Sequence, residues 1–200
     1  MHDKILFVDT ETGGLNPNYH SLLSIALVLW QDYEIIDKLE VLINDGNLVI
    51  DNIALEINHI NIEEHKMKAV RPTEAIVTIK NFLYKHFITS EKITLAGHNI
   101  SFDVSFLKVF LEKNGEIFSN YFSHRYVDTA SILYYLYLAG KIKSKTVSSS
   151  EAFKMFGIKI VNRHSALGDA KGTAELFTKL LMKLGKIKIK SDIDLTLFES

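Results

Sequence analysis

An α/β domain, a mixed sheet flanked by helices, is predicted by three features of this chain. Strand-like apolar runs fill its first 43 residues, a two-residue link joins two of them, and after Asp51 stretches with helical spacing surround one short strand. The 200 residues, 47% of them hydrophobic, suffice for one core, so a single domain is expected.

The elements follow in order. Lys4–Val8 is an apolar strand, and Leu22–Trp30 a second. Tyr33–Ile43 alternates as a third and stops at the turn-rich Asn44-Asp45-Gly46-Asn47. The Gln31-Asp32 link makes strands two and three an antiparallel hairpin. Asp51 caps a short helix through Ile57. Pro72 starts a stronger one, with Ile76, Ile79, Leu83 and Phe87 on one face. Ile93–Ala96 is a strand, and Ser101 caps a helix that turns Phe102, Phe106, Val109 and Phe110 inward. Asp128 caps a helix through Tyr137, and Ser148 one through Phe156. The last clear helix carries Ala170, Ala174, Phe177 and Leu181.

Composition excludes several classes. With no cysteine there are no disulfides and no thiolate zinc sites, and a cytoplasmic location fits. The longest apolar run has nine residues, too short to span a bilayer, and MHDKI lacks the basic-then-apolar layout of a secretory signal. The formal net charge of −1 argues mildly against a generic nucleic-acid binder, which would be basic.

Three stretches carry candidate chemistry. In "FVDTETGGLN", Asp9 and Glu11 end a core strand two residues apart and so share a face. Such carboxylates repel unless a cation lies between them, and hard divalent ions take oxygen ligands. Alone, the pair reads as a solvated strand end. In "AGHNISFDVSFL", Asp103 falls in a first helical turn, where negative charge is favoured, with His98 and Asn99 at the preceding strand end. In "RHSALGDA", His164 precedes the cap candidate Ser165, and Asp169 follows within the first turns of the helix. Taken singly, each of these is ordinary cap or surface chemistry.

Together they resemble the DEDDh, or DnaQ-like, exonucleases, the family of the bacterial replicative polymerase's proofreading subunit and of oligoribonuclease. The family's D-x-E matches Asp9 and Glu11, its N-x-x-F-D matches Asn99, Phe102 and Asp103, and its H-x-A-x-x-D-A matches His164, Ala166, Asp169 and Ala170. Order and spacing agree from Lys4 to about Leu184. The resemblance implies a ribonuclease-H-like fold, a five-stranded mixed sheet whose first three strands are antiparallel, with residues 1–184 as exonuclease domain and 185–200 as tail.

It also implies a function: 3′-5′ hydrolysis of single-stranded nucleic acid, DNA favoured, with two Mg²⁺ or Mn²⁺ ions held by Asp9, Glu11, Asp103 and Asp169. His164 is the implied general base, suited by a free pKa of about 6.5. Thr10, Gly13, Leu15, His59, Asn99 and Phe102 are the implied contacts to the terminal nucleotide, with Leu15 as a wedge. Gly13 and Gly14 are expected to let backbone come close to that nucleotide.

Without the four site carboxylates, 20 acidic residues stand against 23 lysines and arginines. Lysines cluster at 141, 143 and 145 and again at 183, 186, 188 and 190, a pattern more typical of solvated surface than of a phosphate track. In the tail, Ile187 and Ile189 alternate with lysines like an edge strand. "DLTLF" (Asp194–Phe198) resembles the peptide that docks bacterial proteins on the sliding clamp, with Asp194 where that motif prefers Gln; packing of Leu195 and Phe198 on the domain is the favoured reading. Expected partners are thus a single-stranded DNA or RNA 3′ end, a polymerase subunit and the clamp, with no membrane. The rival functions are RNA trimming of the oligoribonuclease type and a catalytically silent binding module on the same fold.

Overall fold

The computed structural model describes residues 4–88, 90–145, 148–160 and 165–184. The central strand is β1 (Lys4–Thr12), flanked on one side by β2 (Leu22–Gln31) and then β3 (Glu34–Leu42), both antiparallel to their neighbours. On its other side lie β4 (Ile93–Gly97) and β5 (Phe122–Asp128), both parallel. The order β3-β2-β1-β4-β5 is the expected five-stranded mixed sheet with antiparallel first strands.

Several boundaries differ from expectation. β1 runs four residues past Val8, because Asp9 and Glu11 still pair with Ala26 and Ser24. The hairpin turn is Asp32-Tyr33 rather than Gln31-Asp32. Both of its residues have positive φ (52° and 72°), the geometry whose twist matches that of the strands. β5 carries no legible apolar run: most of FSHRYVD is exposed or half-buried at the sheet's edge.

Helices cover both faces. α1 (Asn52–Asn58), α2 (Ile62–Lys68) and α3 (Pro72–His86) follow the first hairpin, and α4 (Ser101–Lys113) and the single turn α5 (Phe118–Tyr121) lie between β4 and β5. Then come α6 (Thr129–Leu138), α7 (Ser149–Met155) and α8 (Ala166–Leu184). Leu6 and Val8 of β1 pack under Ile76 and Ile79 of α3 and Phe106 and Leu107 of α4. Phe7 faces the other way, against Ala166, Ala170, Ala174 and Phe177 of α8. α6 and α7 pack on the outer side of α8 through Leu133, Leu136, Phe153, Leu176 and Leu180.

Cap expectations divide. Asp128 accepts the N–H groups of Ala130 and Ser131, and Ser148 that of Glu151, as expected. Ser101 is not a cap but the first helical residue of α4; the cap position is Ile100, which offers no side-chain bond. The buried face of α4 holds Phe106 and Phe110 as expected, joined by Asp103, Val104, Leu107 and Leu111, with Phe102 and Val109 half-buried. Asp51 holds the cap position of α1 but makes no cap bond. α2 was not expected; Asn61 caps it by accepting from the N–H groups of Glu63 and Glu64. No helix among the described residues is long and apolar enough to cross a membrane. The tail from 185, with its lysines and the clamp-like stretch, lies outside the described residues.

Candidate active site

β1 and β4 pair only as far as Phe7 and Ala96. Beyond that point β1 runs on to Thr12 paired with β2, and the strand order changes side at β1, with β2 on one flank and β4 on the other. A mixed or parallel sheet makes its crevice at such a switch point. Here the backbone N–H of Thr10 has no strand partner on that side, and Asp103 of α4 accepts it at 2.8 Å.

The Thr10 hydroxyl donates to the same Asp103 oxygen, Oδ1, at 2.7 Å. Thr10, expected to touch substrate, is buried and lines the cleft described below, and its hydroxyl anchors Asp103 to the strand position between Asp9 and Glu11 in sequence. Asp103 is itself buried, and burial pushes its carboxyl up from 3.8 to about 7, against the two Thr10 bonds, which pull it down.

Asp9 and Glu11, half-buried, share the face of Ile5 and Phe7, the face that α8 covers. Asp169 lies in the first turn of α8, which Ser165 starts by accepting the N–H of Gly168 at 3.1 Å. Asp9, Thr10, Glu11, Asp103 and Asp169 thus sit at one end of the sheet. Among the described residues, however, no three histidine, aspartate or glutamate side chains stand close enough together to hold a metal ion. The donor chemistry does fit a hard divalent cation: all four acids offer oxygen, and Asp103 is a buried carboxyl that neutralises near pH 7 unless positive charge partners it. His164 lies outside the described residues.

A cleft of about 350 Å³ opens beside Glu11. Leu15, Phe102, and Ile53 and Ile57 of α1 line it. Leu15 is 83% exposed and Ile53 70%, large apolar surface with water over it. Asn58 also lines this cleft, where His59 was expected; His59 ends α1 in left-handed backbone (φ 54°) and is exposed. The buried Asn58 amide donates to the Thr12 carbonyl at 3.3 Å and accepts the N–H of Ile60, tying α1 to the end of β1. Asn99 is exposed with φ 59°, its N–H bound to Asp128 Oδ1 at 2.8 Å, so it shapes the turn into α4.

The glycines have a structural task that was not foreseen. A Cβ on Gly13 would meet the Val49 carbonyl oxygen at 2.2 Å, and one on Gly14 the His20 ring at 2.5 Å. They let the protein's own segments pack closely around the loop, and Gly14 also lines the cleft. Asn58, Ile53, Ile57 and His20 escaped sequence reasoning because only the fold brings them to the D-x-E loop.

The RNase T exonuclease family profile matches residues 6–177. A ribonuclease T from Wigglesworthia glossinidia brevipalpis is 32% identical and is covered over 85% of its length by 90% of this chain. A PolC-type DNA polymerase III from Caldanaerobacter subterraneus subsp. tengcongensis is 29% identical over 191 residues; these are 96% of this chain but only 12% of that polymerase. Among solved structures, E. coli exonuclease I with a dT13 oligonucleotide superposes with a TM-score of 0.77 over 92% of this chain and 42% of its own, at 17% identity, which speaks for the fold. A zinc-bound form of that enzyme with single-stranded DNA gives 0.78 at 18% identity over 93% of this chain and 42% of its own. Exonucleases of this type use divalent metal ions. By its three motifs, its sheet order and these matches, the chain belongs to the RNase T family of DEDDh exonucleases.

Proposed function

We propose that this chain hydrolyses single-stranded nucleic acid from its 3′ end, DNA favoured, releasing nucleoside 5′-monophosphates. The observation that carries the reading is the anchoring of Asp103 on Thr10, the residue between Asp9 and Glu11 in the sequence of β1, next to an apolar cleft lined by Glu11. Asp9 would serve both metal ions, Glu11 and Asp169 would complete one site, and Asp103 the other. When bound, the ions would polarise the attacking water and offset charge on the phosphate and the departing 3′ oxygen. His164 takes the proton from the water as the P–O bond to water forms and the bond to the 3′ oxygen breaks; that oxygen is protonated from solvent. Leu15, Ile53, Ile57 and Phe102 hold the terminal base, and the cleft keeps water from its face.

RNA is the second reading, favoured by ribonuclease T relatives that align over most of their length, where the polymerases align over 12%. A polymerase partner, and a clamp bound through Asp194–Phe198, extend the DNA reading; a tail peptide that binds purified clamp and loses it on double substitution of Leu197 and Phe198 would support the latter. The deciding experiment is a panel of single-stranded DNA, mismatched primer, RNA and dinucleotide with Mg²⁺ or Mn²⁺. Cleavage from the 3′ end, stopped by chelation, is expected; no cleavage of any member refutes the nuclease reading.

A further inference from the structure

His20 is the hub of the contacts that join the glycine loop to α1. Its Nδ1 accepts the N–H of Asn16 at 3.0 Å. The ring's proton is therefore on Nε2, which lies 3.0 Å from Asp51 Oδ2 and donates to it. This explains why Asp51, at the cap position of α1, caps nothing: its carboxylate is turned to His20. The ring lies flat on Gly14, where an added Cβ would meet Cδ2, Nε2 and Cγ at 2.5–2.7 Å, and Tyr19 packs edge-on at 5.0 Å. His20 itself is mostly buried, its side chain 10% exposed.

The backbone around it is laced in the same sense. Gly13 donates to the Ser21 carbonyl at 2.8 Å, Ser21 to that of Val49 at 3.1 Å, and Asp51 to that of Gly13 at 2.7 Å. Gly14, Leu15, Asp51, Ile53 and Ile57 all line the cleft beside Glu11. His20 does not line it, but its ring lies against Gly14 and its Nε2 bonds Asp51, so it ties these two lining segments together.

We infer that His20 is a positioning residue that sets the spacing between the Leu15 wall and the α1 isoleucines, and so sets the affinity for the terminal nucleotide without touching it. The inference rests on the nuclease reading for the identity of the ligand, though not for the geometry. A wall held at the wrong spacing weakens binding of ground state and transition state alike, so the effect belongs in KM rather than kcat.

The test uses the full chain and a single-stranded oligonucleotide, with KM and kcat measured in Mg²⁺ and Kd measured in chelator. His20→Ala should raise KM and Kd about tenfold and leave kcat within about twofold. His20→Gln, whose amide N–H reaches where Nε2 stands, should keep most of the affinity. His20→Asn, which mimics only Nδ1, should behave like His20→Ala. Gly14→Ala should weaken binding in the wild-type background and cost little more in His20→Ala, since the ring it collides with is gone. Unchanged KM and Kd in His20→Ala, a loss confined to kcat, or rescue by Asn rather than Gln overturns the inference. Should His20→Ala fail to fold by circular dichroism, the Gln and Asn pair decides. A wild type that binds strands without cutting them refutes the nuclease reading while Kd still tests His20; one that binds none overturns both.

Discussion

Thr10 illustrates how a residue between two motif acids serves a third. It gives Asp103 two hydrogen bonds to one oxygen. Thr10→Val removes only the hydroxyl from a buried carboxyl, so a loss on the order of 1–3 kcal/mol in urea unfolding is expected, with Thr10→Ser restoring it. Asp103 also sets a pH dependence. Below 3.8 it is protonated folded or unfolded; between 3.8 and about 7 the unfolded chain ionises while the fold keeps the proton. The stability this lends is present at low pH and is lost as pH rises through about 7. In chelator, the melting temperature of Asp103→Asn should therefore gain on wild type from pH 4 to pH 8 in a series of thermal melts. His164→Ala should lower turnover on the order of 10²–10⁴-fold while calorimetry finds metal binding unchanged; a near-native rate would show that another group takes the proton.

At the scale of elements, α8 is the piece on which Asp169 rides, and its seat is aromatic. Phe177 lies 5.5 Å from the Phe7 ring and 5.2 Å from Trp30, whose indole N–H donates to Thr178 at 2.8 Å. Phe177→Ala should cost about 3–5 kcal/mol in denaturant unfolding. α1 was expected from the cap candidate Asp51, and its attachment was not: Asn58 reaches 46 residues back to Thr12. β5 and α5 left no apolar period because an edge strand is buried on too little of its surface to need one. α4 was found in the right place with Phe106 and Phe110 inward as expected, and a helix that presents Asp103 to Thr10 turns Val104 and Leu107 inward with it.

For the whole molecule, the proposed site lies at the carboxyl ends of β1 and β4, where the strand order changes side about β1. With the cleft proposed to take one terminal nucleotide, on a chain of net charge −1, few phosphate contacts are expected. Oligonucleotides of about four nucleotides should bind nearly as tightly as longer ones, with a shallow slope of log affinity against log salt; a steep slope would reveal a longer track.

Read alone, the residues announce the kind of protein this is. Apolar runs of period two and 3.6 demand a sheet with helices upon it, and three motifs in fixed order declare the family, because both signals are local and written in adjacent positions. What they could not announce is the company each side chain keeps. That Thr10 turns inward to Asp103, that His20 bridges Gly14 and Asp51, and that Asn58 rather than His59 lines the cleft all depend on distances between segments far apart in the chain. Such distances arise only when burial of both sheet faces forces those segments together.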